Sequence, residues 1–500
     1  MLRAARVLLV PSVPVLVFLA CFFVVLSTGP TWLFGDGDLG WHIQTGKLIE
    51  QTGRIPTCDV HSWTAPGVPW VDIEWLSNYL YWKTLQHLGF LGMLALEAAI
   101  IAAAFAILSH LMLAEGCDLL VTLGVSFWAF WLSSLHWFVR PHLRTWFFIA
   151  LWSALLYAYL RTRTRWVWLV PATAVLWVTL HGGWPTGCIT LALFAVGDVL
   201  GGPGGWTARN VKGWLAIGLV TLAATFLNPY GWAIHEDVVN MVNAKPVLDI
   251  TQEWKSPDFR GGPKPFRTFF LVTLLAMAFL PAPRRAVGWG FLLWSTYMMM
   301  ESVRHIPIFL VWMAPLTALG LTGLLRRLAE HSLSEPGTVL ARPPAALDPP
   351  PPRWRGVTGL LLPVLALVLA VRGVFPPALH SMPAGFPADR FPTAAVEYLK
   401  AKPIAGNLLN DYTWGGYLTW ALPDVRIFID GRNVMYGAKL SHDWLTLATL
   451  APGWKDLVAS YGIVWTLFPT DAPLTQALRE LGWQVRYSDS TATVLVRPGA

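Results

Sequence analysis

Residues 6–42, RVLLVPSVPVLVFLACFFVVLSTGPTWLFGDGDLGWH, decide the fold. An apolar run from 6 to 29 is followed closely by Asp36-Gly-Asp-Leu-Gly-Trp-His42, which opens a polar stretch reaching about residue 88. The run is long enough to cross ~30 Å of hydrocarbon, and no small-x-small cleavage site follows it, so it reads as a retained anchor. Two carboxylates at a membrane exit call for a chemical reason, and a pair in that place can act as a general base or grip a hard cation.

The rest of the chain repeats the anchor. Of its 500 residues 55% are hydrophobic and 13% charged, with a mean hydropathy of +0.50, which excludes an ordinary soluble domain. Further apolar runs at 89–113, 119–137, 145–160, 166–180, 187–201, 214–228, 268–282, 287–300, 307–324 and 357–372 bring the expected spans to about eleven. The net charge of +7 does not point to nucleic acid, because the basic residues sit in short clusters between apolar runs. Arg3 and Arg6, then Arg161, Arg163 and Arg165, then Arg209 and Lys212, then Arg284 and Arg285, then Arg326 and Arg327 occupy alternate connections. The positive-inside rule therefore makes the N-terminus cytoplasmic and puts 30–88, 138–144, 181–186, 229–267, 301–306 and everything after about 373 outside. The four cysteines are scattered without metal-ligand spacing.

The expected architecture is an α-helical polytopic membrane domain over 1–372 and a small extracytoplasmic α/β domain over 373–500. Within the first, Trp75 to His87 has the pattern of an interfacial helix, and the Pro-rich part of 325–356 reads as an extended cytoplasmic linker. The tail alternates helical patterns (392–402, 441–450, 473–481) with extended ones (407–410, 426–430, 463–468, 483–487, 492–497), with an edge hairpin at Ser488-Asp489-Ser490.

The chemically unusual residues gather in the outer connections. Asp36 and Asp38 lie on one side of an extended chain, able to converge on one divalent cation (Mg or Mn) or one hydroxyl, with His42 close behind; the same residues also suit a solvated turn capping a helix that starts near Trp41. Asp72 and Glu74 add two acids to that loop. Arg140-Pro-His142-Leu-Arg144 and Arg304-His305 place guanidiniums where the positive-inside bias disfavours them, which suits either a phosphate or lipid headgroups. His181-Gly-Gly-Trp184 supplies flexible backbone for a ligand or a re-entrant turn, and Glu97 is an acid inside a span. Residues 228–259 form a loop long enough to gate a substrate. In the tail, Asp411-Tyr412 and Asp430-Gly-Arg432 both follow extended segments, where open α/β sheets place ligands; the competing reading is an N-cap at Asp411 with aromatic packing.

Taken together, Asp36-x-Asp-x-x-Trp-His42, Thr64-Ala-Pro-Gly-x-Pro-Trp-Val-Asp-x-Glu-Trp75, Arg140-Pro-His142, His181-Gly-Gly183, Asn228-Pro-Tyr-Gly231 and Arg304-His-Ile-Pro307 resemble bacterial membrane proteins of the GT-C glycosyltransferase superfamily. That superfamily includes protein O-mannosyltransferases and aminoarabinose transferases. The resemblance implies a polyprenyl-phosphate sugar donor and a catalytic acid in the first outer loop, matched best by Asp38 and next by Asp36. Asp411-Tyr-Thr-Trp-Gly-Gly-Tyr417 is loosely similar to the Trp-Trp-Asp-Tyr-Gly motif of oligosaccharyltransferase catalytic subunits, but Leu409-Asn410 stands where that motif has paired tryptophans, so recognition of an Asn-x-Ser/Thr acceptor is not carried over. The mannosyltransferases' Asp-Glu pair is Asp-Gly-Asp here.

The resulting expectation is an inverting glycosyltransferase of a bacterial inner membrane, acting on a lipid, glycan or protein acceptor. Asp38 would be the base, and Asp36 would orient the acceptor or hold the cation. Arg140, Arg144 and Arg304 would steady the leaving phosphate, with His42, Glu74, His142, His181, His305, Asp411, Tyr412, Asp430 and Arg432 around the substrates. The alternative is a non-enzymatic exporter of lipid-linked or polysaccharide cargo, which should instead show mid-membrane charges and broken helices in paired halves.

Overall fold

The computed structural model describes residues 11–244, 252–261, 264–334, 357–365 and 385–499. Among them, four helices are long and apolar enough to cross a membrane: Trp75–Ala114, Leu119–His136, His142–Thr162 and Val303–His331. Shorter apolar helices cover Val13–Ser27, Arg165–Leu180 and Pro185–Gly201.

The expectation of about eleven spans is therefore not supported. Helices do form over three further apolar runs, as Ala208–Ala224, Lys264–Met277 and Ala282–Glu301. The first two are short, and each of the three carries charged residues, among them Lys212, Arg267 and the Arg284–Arg285 pair, which dilute its apolar length. Only 357–365 of the last expected run is described. Most of the Pro-rich linker and the expected domain boundary near 372 lie outside the described residues.

Val13–Ser27 and His142–Thr162 both pack against the long helix Trp75–Ala114, and Ile306–Ser334 packs against Leu119–Ser133. Large aromatic side chains fill the bundle, with Phe105, Trp146, Trp152, Trp177, Phe194 and Phe309 fully buried. The expected interfacial helix is the first part of Trp75–Ala114 and not a separate element. Gly89 breaks that helix with φ of 65°, a conformation that only glycine adopts without strain, so the arm before it bends into the span after it.

The tail forms one four-stranded sheet in the order β1-β2-β4-β3, with β1 Asn407–Asn410, β2 Ile463–Pro469, β3 Gln484–Ser488 and β4 Ala492–Val496. β1 and β2 are parallel; β3 and β4 form the expected hairpin. One expectation fails. Residues 426–430 form no strand of this sheet and make only an isolated bridge at Ile427, because their backbone groups pair with the first loop: Trp63 N–H donates to the Ile427 carbonyl at 3.0 Å and Ile427 N–H to the His61 carbonyl at 3.1 Å. Phe428 to Arg432 therefore lies at the seam between loop and tail, not at the end of a sheet strand.

Glycines set how closely that seam closes. The helix Asp38–Thr52 crosses Gly415–Ala421, and a Cβ on Gly40 would run into the Gly416 carbonyl, while one on Gly416 would strike the Gly37 carbonyl. One on Gly431 would collide with the Asp38 carboxylate. Side chains are excluded here because backbone meets backbone.

Gly40→Ala should therefore lower stability by about 1–3 kcal/mol through overpacking. Gly124→Ala, in a helix with open space at the same position, should be neutral or stabilising by up to about 1 kcal/mol. Thermal melts of the detergent-solubilised variants check the pair; equal melting temperatures would contradict the close crossing.

Candidate functional site

Asp38 opens the helix Asp38–Thr52, and Asp36 lies just before it. One oxygen of Asp36 accepts the Asp38 N–H at 2.9 Å, a local turn bond just ahead of the helix, whose N-cap is Gly37. The other oxygen receives Arg140 Nη1 at 2.9 Å, and Asp38 Oδ2 stands 2.9 Å from Arg140 Nη2. Arg140 is brought there by one backbone and one side-chain bond: Val139 N–H donates to the Leu33 carbonyl at 2.9 Å, and Trp32 Nε1 donates to the Ser134 carbonyl at 3.2 Å. The Asp-x-Asp carboxylates thus converge, but on a guanidinium.

Glu253 is a residue that the sequence reading missed. Its Oε1 lies 3.5 Å from Arg140 and 3.3 Å from Arg304, and Arg304 also stacks on Trp254 at 5.0 Å. The available signal was its place beside Trp254 in the long 228–259 loop. Two cavities, each of about 340 Å³, meet at this cluster and share Asp38, Arg140, Glu253 and Tyr412 as walls. Asp36 and Arg390 line the first; Glu74, Arg304 and Arg432 line the second. Arg390 was also missed, and among the described residues no carboxylate lies within ion-pair distance of it.

Behind Glu74 runs a buried polar chain whose tautomers follow from its bonds. Asn78 gives its amide N–H groups to Asp72 at 2.9 Å, so its carbonyl takes the Nδ1 proton of His42 at 2.6 Å. His42 Nε2 is then unprotonated and faces Glu74 Oε2 at 3.8 Å. His181 is the mirror case: Nδ1 accepts Gly183 N–H at 2.9 Å, leaving a protonated Nε2 3.4 Å from Glu74 Oε1. Burial holds both imidazoles well below their ordinary pKa, with nearby arginines acting in the same direction.

Arg432 fastens tail to loop. It pairs with Asp430 at 2.7 Å and with Asp59 of the first loop at 2.8 Å, and stacks on Trp70 at 4.8 Å. Tyr412 donates to Asn433 at 2.9 Å. Other expected site residues stand apart. Arg144 pairs with Glu97 at 2.5 Å and donates to Tyr81 inside the bundle, His142 Nε2 donates to the His136 carbonyl, and His305 Nδ1 donates to the Met298 carbonyl. Asp411 caps the turn at Thr413 N–H. None of these four lines either cavity.

The electrostatics divide the acids. Burial pushes the Asp38 carboxyl up to about 7; Arg140 opposes the shift while Asp36 and Asp430 add to it. Burial likewise raises Asp72 and Glu74 to about 7. Against the burial that would raise it, Glu253 is held at about 2 by Arg304 and Arg140.

A divalent ion, which an Asp-x-Asp pair suggests, does not fit these residues. The oxygens of Asp36 and Asp38 that face the centre are already engaged by Arg140, and a hard cation needs such oxygens at ~2.0–2.6 Å. Among the described residues no group of three or more His, Cys, Asp and Glu side chains is arranged to hold a metal.

No protein-family model matches the sequence, and no curated protein does. Solved structures do. The archaeal oligosaccharyltransferase of Archaeoglobus fulgidus, in complex with an inhibitory peptide and a dolichol-phosphate, superposes with a TM-score of 0.53 at 11% identity, covering 97% of this chain and 74% of that one. The same organism's enzyme, tethered to an acceptor peptide with an NVT sequon, gives 0.54 at 12% identity over the same shares. The chain shares the fold of these oligosaccharyltransferase structures.

The three raised acids fix a pH dependence. Each holds a proton in the folded state between about pH 4 and 7 that the unfolded chain has released, so stability falls as pH rises through that window. Glu253 acts oppositely: its stabilisation is present above about 4.5 and lost as pH falls toward 2. Melting temperature should therefore decline from pH 5 to 8, and Asp72→Asn should make the decline shallower. An unchanged slope would contradict the assignment for Asp72.

Proposed function

We propose that the chain is an inverting glycosyltransferase that moves a sugar from a polyprenyl-phosphate carrier to a hydroxyl of a lipid, glycan or protein acceptor. The observation that carries this reading is the meeting of two cavities at Asp38. Transfer between two substrates needs two entrances and one place where they touch. The solved neighbours support the choice of substrates, since one is a complex with a dolichol-phosphate and another holds an acceptor peptide. We place the reaction at the outer face of a bacterial inner membrane, with the N-terminus cytoplasmic and the 30–88 loop and tail outside, on the alternation of basic clusters.

In this reading the donor enters the second cavity. Arg304 lines it immediately before the helix Ile306–Ser334. The acceptor enters the first cavity and brings its hydroxyl to Asp38. Asp38 takes the hydroxyl proton as the oxygen attacks the anomeric carbon from the face opposite the phosphate. The carbon–oxygen bond to the phosphate breaks, and its electron pair leaves with the carrier. Arg304 meets the charge that grows there. Arg140 holds the Asp38 carboxylate in place. With a pKa near 7, Asp38 is poised to take a proton at neutral pH.

Asp38→Asn should reduce turnover on the order of 100-fold to 10,000-fold with little change in donor binding, and wild-type turnover should rise with pH through about 7. Single-turnover assays with a panel of polyprenyl-phosphate sugars and membrane extract as acceptor check both. Wild-type rates in Asp38→Asn would remove the assignment.

Binding of a polyprenyl phosphate in nanodiscs tests the donor separately. Arg304→Lys keeps the charge but loses the planar fork that grips two oxygens, so affinity should fall about tenfold. Unchanged affinity would return Arg304 to an interfacial anchor.

A further inference from the structure

We propose that Arg140 is the resident cation of this site: its guanidinium occupies the place among Asp36, Asp38 and Glu253 where a divalent ion would sit, and the centre works without a metal. The inference concerns the charge balance of the cluster and holds whichever group is transferred.

Three carboxylates face one guanidinium. Nη1 reaches Asp36 at 2.9 Å and Glu253 at 3.5 Å, and Nη2 reaches Asp38 at 2.9 Å. The side chain is largely buried, and the short connection that carries it is pinned by the Val139–Leu33 backbone bond, so the charge is built into the fold. Arg304 lies 3.3 Å from the same Glu253 oxygen, so two positive side chains already answer the three acids. A dication entering here would have to displace Arg140 and would then stand near both guanidiniums. An arginine keeps its proton at any physiological pH, whereas an ion is bound and lost with concentration.

A guanidinium performs part of what a divalent ion performs in such a place. It holds two carboxylates at a fixed separation and keeps one of them pointed at the cavity junction. It also lays positive charge beside an oxygen that becomes negative. It supplies no open coordination position, so the acceptor hydroxyl must lose its proton to a side chain.

Manganese binding, followed by the loss of the free-ion signal in electron paramagnetic resonance, tests this without any assay of transfer. The wild-type protein should take up no stoichiometric Mn²⁺, and chelator should leave its turnover unchanged. Arg140→Ala leaves three mutually repelling carboxylates, and should bind one Mn²⁺. A second change, Asp36→Asn, should weaken that binding by an order of magnitude or more, and Arg140→Lys should bind none. Stoichiometric uptake by the wild type that Asp36→Asn removes would overturn the proposal. So would a folded Arg140→Ala variant, with a single cooperative melt, that takes up no Mn²⁺. If Arg140→Ala does not fold, the wild-type titration decides alone.

Discussion

The bonds from Arg140 to Asp36 and Asp38 organise this molecule. A guanidinium only 12% exposed between carboxylates is costly to bring out of water and costly to leave half paired. The pair therefore constrains everything attached to it. It ties the segment after Val13–Ser27 to the connection before His142–Thr162, two places separated by about a hundred residues of chain. With those two connections fixed, the wall of both cavities is fixed as well.

The tail completes the site by laying backbone against backbone. Gly37, Gly40 and Gly416 let Gly415–Ala421 settle on the helix that carries Asp38, and Gly431 leaves room for the Asp38 carboxylate itself. Tyr412 and Arg432 then form part of the cavity walls. The Asp59–Arg432–Asp430 cluster holds loop and tail in register. Burial raises the Asp38 carboxyl toward neutrality, and Asp430 of the tail adds to the shift.

Much of this was legible in the chain. The apolar runs, the singling out of Asp36, Asp38, Glu74, Arg140 and Arg304, and the α/β pattern of the tail all follow from periodicity and charge placement. What was not legible depended on distance in sequence. The span count failed because the helices over 214–228 and 287–300 begin earlier, at Ala208 and Ala282, and take in Lys212 and Arg284, so their apolar stretch is shorter than the helix. Residues 426–430 have strand-like composition, yet their hydrogen bonds go to His61 and Trp63, a choice made by tertiary contact. Asp36 and Asp38 alone suit a capped turn, and with His42, Asp72 and Glu74 nearby they suit an ion or an acceptor hydroxyl; Arg140 between them is visible only in the fold. Glu253 and Arg390 carried little local signal, since an acid in a long loop and an arginine before a helix are ordinary.

The central claim is that two substrates meet at Asp38 in a centre whose cation is Arg140. An electron cryomicroscopy structure of the protein in nanodiscs with a polyprenyl phosphate and chelator tests it most directly. Phosphate density is expected in the second cavity, at hydrogen-bonding distance of ~2.7–3.2 Å from Arg304, with Arg140 still between Asp36 and Asp38. A phosphate bound elsewhere, or Arg140 turned away from the two aspartates, would contradict it.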